Sequence, residues 1–259
     1  MKVVIFAGGL GTRISEESYL KPKPMIEIGE KPILWHIMKE YANYGFKEFI
    51  ICLGYKGYKI KEFFKDYYLY TSDVTFDLGN NDFIIHNTKS EGWKVTLVDT
   101  GIYTLTAGRL NRVKKYIGNE PFMLTYGDGL SDINIKELVE FHNNQDKIGT
   151  ITSYNFGQRF GVIVANENNE ITAFREKQSS DGSLINAGYM VFNPEVFNKM
   201  PENSDNIMFE EILEKLAEER ELSTYKHTGF WFGMDTQRDK IQLEEMWNSG
   251  NAKWKTWND

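Results

Sequence analysis

The stretch that decides the fold is Lys2-Val-Val-Ile-Phe-Ala-Gly-Gly-Leu-Gly-Thr-Arg13. Residues 3–6 are apolar with no polar alternation, which suits a strand buried on both faces of a parallel sheet and ending at Ala7. Gly8, Gly9 and Gly11 then remove side chains where backbone must approach a ligand closely or take a positive φ. Arg13 adds a planar fork of permanent charge, and Lys21 and Lys23 follow. Inward-turned N–H groups of such a loop cradle anions, so the combination suits a polyphosphate. A solvated glycine turn is the plainer reading of the glycines alone. The spacing is neither the P-loop G-x-x-x-x-G-K-[ST] nor the dinucleotide G-x-G-x-x-G. Arg13 also stands where a dinucleotide-binding helix would begin, which argues against a nicotinamide oxidoreductase.

Outward from this stretch, Pro32 opens a helical pattern that runs to about Tyr44, with Gly45 fitting a left-handed stop. Residues 49–53 read as a second buried strand and 55–64 as the next helix. The alternation predicts an α/β fold: a Rossmann-like, predominantly parallel twisted sheet flanked by helices. Between 67 and 99 three β-rich segments (74–78, 83–86 and 94–98), joined by Gly and Asn, predict an accessory β-hairpin region. A helix follows over 104–117, with Thr106 its candidate N-cap, and then a buried strand over 122–126. Strands are expected over 148–154, 161–165, 170–176, 184–192 and 223–227, with a polar turn at 166–170. Helices are expected over 209–221 and 237–248.

Two acidic turns stand out. Asp128, between Gly127 and Gly129, follows a strand, and ligands of open α/β sheets bind beyond the carboxyl ends of strands. Asp132 better fits the cap of the helix after it. Asp235 precedes a helix, so capping is its plainer role.

The 259 residues suit one domain, with a tail over 241–259. Trp254 and Trp257 in that polar tail suggest packing on another subunit or on the body of the chain. A net charge of -7 argues against a general nucleic-acid binder, while leaving room for an anionic small substrate met by local cations. The single cysteine, Cys52, lies in an apolar run and reads as a core hydrophobe, so no intrachain disulfide forms. No signal sequence or membrane-length apolar run is visible, and a cytoplasmic protein that engages no membrane is expected.

Ala7-Gly-Gly-Leu-Gly-Thr-Arg13, Lys21-Pro-Lys-Pro-Met25 and Lys31-Pro-Ile33 resemble the signature of sugar-phosphate nucleotidylyltransferases. The cytidylyltransferase branch is the nearer likeness, through Ser15-Glu-Glu-Ser18, Trp35-His-Ile-Met38, Ile50-Ile-Cys-Leu-Gly-Tyr-Lys-Gly57, Val95-Thr-Leu-Val-Asp-Thr-Gly101 and Met234-Asp-Thr236. The resemblance implies CTP and a sugar 1-phosphate, glucose 1-phosphate first, as substrates of a homo-oligomeric enzyme, and a single nucleotidyltransferase domain with a nucleotide-binding half over about 1–150 and a sugar-phosphate-binding half over 151–240. It implies Mg2+ on Asp128 and Asp235, and Mg2+ favours one or two carboxylates plus substrate phosphates. Arg13 would meet the triphosphate, Lys23 the attacking and α-phosphates, and Lys177 the sugar 1-phosphate. Ala7, Gly8, Gly9, Gly11, Thr12, Tyr126 and Gly127 would line the nucleotide. Thr100, Gly101, Gly108 and Arg109 would approach the base, although a helix-surface cation is the plainer reading of Arg109. Glu176, Asn186, Gly188, Tyr189 and Trp231 would hold the sugar, yet a solvated Glu–Lys pair at a strand end is equally open for residues 176–177.

Gln178, Ala187, Tyr189-Met190 and Phe232-Gly233 depart from the family pattern, all on the sugar side. A different phosphorylated acceptor, a relative using UTP, GTP or dTTP, and a catalytically silent nucleotide-binding subunit therefore stay open.

Overall fold

The computed structural model describes residues 1–11, 14, 19–88, 90–155, 162–165, 171–175 and 184–258. β1 (Val3–Ala7) is buried along its whole length. Val3, Ile5 and Ala7 face one core and Val4 and Phe6 the other, the two-residue period of a strand covered on both sides. The ribbon β2 (Glu27–Ile28) and β3 (Lys31–Pro32) leads into α1 (Ile33–Asn43). Pro32 is its N-cap, and the chain leaves through Gly45 at φ +92, the left-handed exit expected there.

β4 (Glu48–Leu53) lies parallel to β1, and α2 (Gly57–Tyr70) runs past its expected end at residue 64. β5 (Ser72–Asp77) and β6 (Asp82–Thr88) form the accessory hairpin as a separate two-stranded sheet. The third β-rich segment, β7 (Lys94–Asp99), instead pairs parallel to β4, because Val95 and Leu97 have a core to pack against.

α3 (Thr106–Ile117) is capped by Leu105 rather than Thr106. Thr106 is already helical, and its hydroxyl accepts the Phe209 N–H at 2.7 Å. β8 (Phe122–Tyr126) and the short β9 (Gly129–Ser131) precede α4 (Ile135–Asn143). Its cap is Asn134, whose side chain accepts the Glu137 N–H. Asp132, expected in that role, is drawn away to the Phe230 N–H at 2.7 Å and to His227.

β10 (Gly149–Asn155), β11 (Val162–Ala165), β12 (Ile171–Arg175), β13 (Leu184–Phe192), α5 (Phe209–Glu218), β14 (Leu222–His227), β15 (Trp231–Gly233) and α6 (Gln237–Asn248) complete the described strands and α-helices. The turn expected at 166–170 lies outside the described residues. The main sheet has the order β14-β10-β13-β8-β1-β4-β7, with β13 antiparallel to both neighbours and the other pairs parallel.

α1 and the C-terminal segment cover one face of this sheet, and α3 and α5 the other. Trp254 and Trp257 are buried against the body of the chain, around His36 and Trp35. Cys52 is fully buried, and burial pushes its thiol up to about 12, as a core residue requires. Among the described residues no helix is long and apolar enough to cross a membrane.

Candidate functional site

From β1 the sheet grows outward through β4 and β7, and the chain then returns to the other side of β1 as β8. Strand order reverses at β1, so the connections leaving β1 and β8 diverge and leave a crevice at their carboxyl ends. A cleft of about 480 Å³ opens there, lined among others by Ala7, Gly9, Gly11, Lys23, Tyr126, Gly127, Asp128 and Asp235. Gly127 belongs at its floor. Its N–H donates to the Phe6 carbonyl at 3.0 Å, and a Cβ would stand 3.0 Å from that oxygen and from Pro24.

The two acidic turns meet because β15 pairs antiparallel with β9, setting Gly233 opposite Gly129. The Met234 N–H then donates to the Asp128 carbonyl at 2.9 Å. Lys23 Nζ donates to Asp128 Oδ2 at 2.6 Å and to Asp235 Oδ1 at 2.8 Å. Burial works against the lysine's charge, but Asp128 and then Asp235 outweigh it and hold the ammonium above its ordinary range. The two carboxylates thus converge on one cationic position at the cleft mouth while keeping 37% and 52% of their side-chain surface open.

Asp235 is not the cap of α6. Thr236 is, its hydroxyl accepting the Asp239 N–H while Asp239 reaches back to the Thr236 N–H. Lys21, the other expected phosphate cation, pairs with Glu27 at 2.8 Å.

Arg109 is neither a surface cation nor turned outward to a base. It is 4% exposed. Nη1 donates to the Leu53 and Gly101 carbonyls and to Thr100 Oγ1, and Nη2 to the Gly8 and Ile102 carbonyls, at 2.8 to 3.3 Å. The guanidinium therefore ties together the carboxyl end of β4 and the loops that leave β1 and β7. It also dictates Gly8, where a Cβ would lie 2.1 Å from Nη1. Thr100 is buried against Leu53, and Gly108 packs on Asp205. Of the expected base-side group, these three support the loop from behind.

A smaller hollow of about 90 Å³ continues from the cleft between Tyr126, Asp128, Asn186, Gly188, Trp231 and Asp235. Trp231 Nε1 donates to the Ala187 carbonyl at 2.7 Å, and Asn186 Oδ1 accepts the Gly188 N–H at 2.8 Å, so this wall is braced. Tyr189 departs from expectation. It is 1% exposed, and its hydroxyl is within hydrogen-bond distance of the buried Glu40 carboxyl and the Gly129 carbonyl, so it supports the wall rather than facing it. Strand alternation sends it to the core, opposite in sense to its neighbours. Thr12, Arg13, Glu176 and Lys177 lie outside the described residues.

Thr106 and Met208 are among the lining residues that the sequence did not single out for the cleft. Behind them Glu210 accepts the Tyr126 hydroxyl at 2.7 Å. A helix opening after a β-strand loop marks Thr106, but no local signal brings residue 210 to residue 126. Ser131, Asp132 and His227 gather nearby, yet serine and aspartate both address His227 Nε2, so they are no nucleophilic triad.

A sequence profile described as nucleotidyl transferase matches residues 2–259. The chain is 50% identical over 258 residues to a glucose-1-phosphate cytidylyltransferase of Salmonella typhi, covering 99% of this chain and 100% of that protein. It is 44% identical over 257 residues to a probable glucose-1-phosphate cytidylyltransferase of Bacillus subtilis (strain 168), covering 99% and 100%. Among solved structures, a putative glucose-1-phosphate thymidylyltransferase from Bacillus anthracis superposes with a TM-score of 0.70 at 18% identity, covering 100% of this chain and 97% of the other. A UDP-glucose pyrophosphorylase with UDP-glucose superposes with a TM-score of 0.69 at 19% identity, covering 96% and 98%. These two likenesses speak to the fold, the mostly parallel helix-flanked sheet expected above.

Proposed function

The chain belongs to the nucleotidyl transferase family, and from that premise we propose that it joins CTP to α-D-glucose 1-phosphate, releasing pyrophosphate and forming CDP-glucose. The observation that carries the reading is the meeting of Lys23, Asp128 and Asp235 at the mouth of a cleft floored by the glycine loop. Full-length identity to proteins named for this reaction supports the choice of CTP and glucose 1-phosphate over the alternatives.

A sugar 1-phosphate is largely dianionic near neutral pH, its second pKa being about 6. Attack on the α-phosphorus therefore needs little help from a base. The obstacle is bringing one anion in line against another. The backbone N–H groups of Gly8, Gly9 and Gly11 would hold the triphosphate. Lys23, swinging from its carboxylates, would meet the α-phosphate and the incoming oxygen, and Arg13 and Lys177 are assigned by motif to the triphosphate and the sugar phosphate. Asn186, Gly188 and Trp231 would orient the sugar in the adjoining hollow.

Asp128 and Asp235 suit Mg2+ by the chemistry of their donors: two part-open carboxylates that already converge on a positive charge. Bound there with substrate phosphates, Mg2+ would neutralise charge developing on the phosphoryl oxygens. The reading extends to a cytoplasmic homo-oligomer that uses neither nucleic acid nor membrane.

A pyrophosphate-release matrix of CTP, UTP, GTP and dTTP against several sugar 1-phosphates, with Mg2+ or EDTA, tests the proposal. Turnover is expected for CTP with glucose 1-phosphate and Mg2+. Release that depends on no sugar phosphate would overturn it.

A further inference from the structure

Cytosine and uracil differ at position 4, where cytosine carries an amino donor and uracil a carbonyl acceptor. A pocket that separates them must commit its hydroxyls to one polarity. Tyr126 and Thr106 both line the cleft, and both hydroxyls already have partners at the start of α5. Tyr126 donates its only hydroxyl proton to Glu210 Oε1 at 2.7 Å. Thr106 Oγ1 accepts the Phe209 N–H at 2.7 Å, and its proton has two acceptors in reach, Glu210 Oε2 at 3.5 Å and Met208 Sδ at 4.0 Å.

One carboxylate, at the start of α5, thus takes the proton of the β8 hydroxyl and lies in reach of that of the α3 hydroxyl. What those hydroxyls can still offer a ligand is lone pairs. Burial, together with the adjacent Glu210 carboxylate, raises the Tyr126 pKa, so the phenol keeps its proton throughout the neutral range. Phe6 packs against the Tyr126 ring at 5.8 Å, and Gly188 lies so close that a Cβ would stand 2.9 Å from Cδ2. The ring is thus held in place, which keeps Oη on the Glu210 carboxylate that takes its proton.

Resting on the reading of the cleft as a nucleotide site, we propose that Glu210 is a specificity-determining residue. It fixes the Tyr126 and Thr106 hydroxyls as acceptors, so that the cleft takes an amino-bearing pyrimidine and turns away a 4-keto one. Glu210 acts through the two hydroxyls and does not contact the phosphates.

The test is Glu210→Gln, which keeps shape while placing a donor in the group. With its amide nitrogen towards Tyr126, the glutamine frees the phenol proton for a 4-keto oxygen; with the nitrogen towards Thr106, it frees the threonine proton instead. Either way the ratio of kcat/KM for CTP to that for UTP is expected to fall about tenfold or more, the scale of one base-reading contact. Pyrophosphate release with glucose 1-phosphate gives the ratio, and calorimetric titration with each nucleotide, without acceptor, gives a binding ratio independent of turnover. Tyr126→Phe is the second variant and is expected to erode the same ratio while the melting temperature reports folding. A wild type that prefers CTP, with both variants keeping its ratio within about twofold, would overturn the role of Glu210, as would a wild type that binds UTP more tightly. A wild type that binds neither nucleotide would instead sink the reading of the cleft.

Discussion

Acidification should loosen the face of the sheet where the C-terminal segment docks, and His36 is where to look. Its ring is fully buried on α1, edge-on to Trp35 and Trp247 and close to Trp254 and Trp257. Nε2 lies 2.8 Å from the Ile28 carbonyl, which can only accept, so Nε2 carries the proton. Trp254 Nε1 donates to Nδ1 at 3.3 Å, so Nδ1 must be bare. A second proton would set two N–H groups against each other inside a ring of indoles.

Burial accordingly lowers the His36 pKa from 6.5 to about 4, with nearby Lys31 adding to the shift and hydrogen bonds to the Ile28 and Lys31 backbone opposing it. Above pH 6.5 folded and unfolded chains are both neutral at this residue, and its contribution is complete. Between about 6.5 and 4 the unfolded chain takes up a proton that the folded one refuses, so stability falls with pH. At about 1.4 kcal/mol per unit, the full loss is about 3 kcal/mol.

Urea unfolding followed by tryptophan fluorescence at about pH 7.5 and about pH 4.5 measures the drop in wild type and in His36→Gln. Titrating carboxylates are common to both and cancel in the comparison. Wild type should lose about 2 to 3 kcal/mol more than the variant across that interval. Equal losses would refute the buried neutral imidazole.

Three further outcomes follow from the site. Gly8→Ala drives a Cβ into the pinned Arg109 guanidinium and should cost about 1 to 3 kcal/mol in urea unfolding; Gly9→Ala, with nothing within 4 Å, should fold as wild type yet show a raised KM for the nucleotide. Tyr189→Phe withdraws the hydroxyl from Glu40, a carboxyl that burial holds well above its ordinary range, and from the Gly129 carbonyl. It should cost about 1 to 3 kcal/mol by the same assay. Asp128→Asn should leave the melting temperature near wild type while steady-state pyrophosphate release falls about a hundredfold to a thousandfold.

Much of this was legible in the sequence where one physical demand dominated. Residues 3–7 have no polar alternate and so could only be a strand covered on both faces, and the crevice at its end follows from parallel pairing. Pro32 and Gly45 bracket α1 because each residue's backbone preference is strong. Legibility failed where a partner distant in sequence decided the outcome. Trp254 and Trp257 sit among polar neighbours, and only the distant His36 and Trp35 show them to be core. Thr106 and Asp132 have the chemistry of caps, but Phe209 and Phe230 offered each a backbone donor first. Arg109 reads as a surface cation on its own helix until five acceptors from the ends of three strands converge on it.

Phosphorus NMR of CTP, glucose 1-phosphate and Mg2+ with the protein is the most direct test of the central claim. The account predicts that the monoester and triphosphate signals decline together as pyrophosphate and a sugar-linked diphosphate grow in equal amounts. Orthophosphate, or pyrophosphate with CMP and an untouched sugar phosphate, would contradict it.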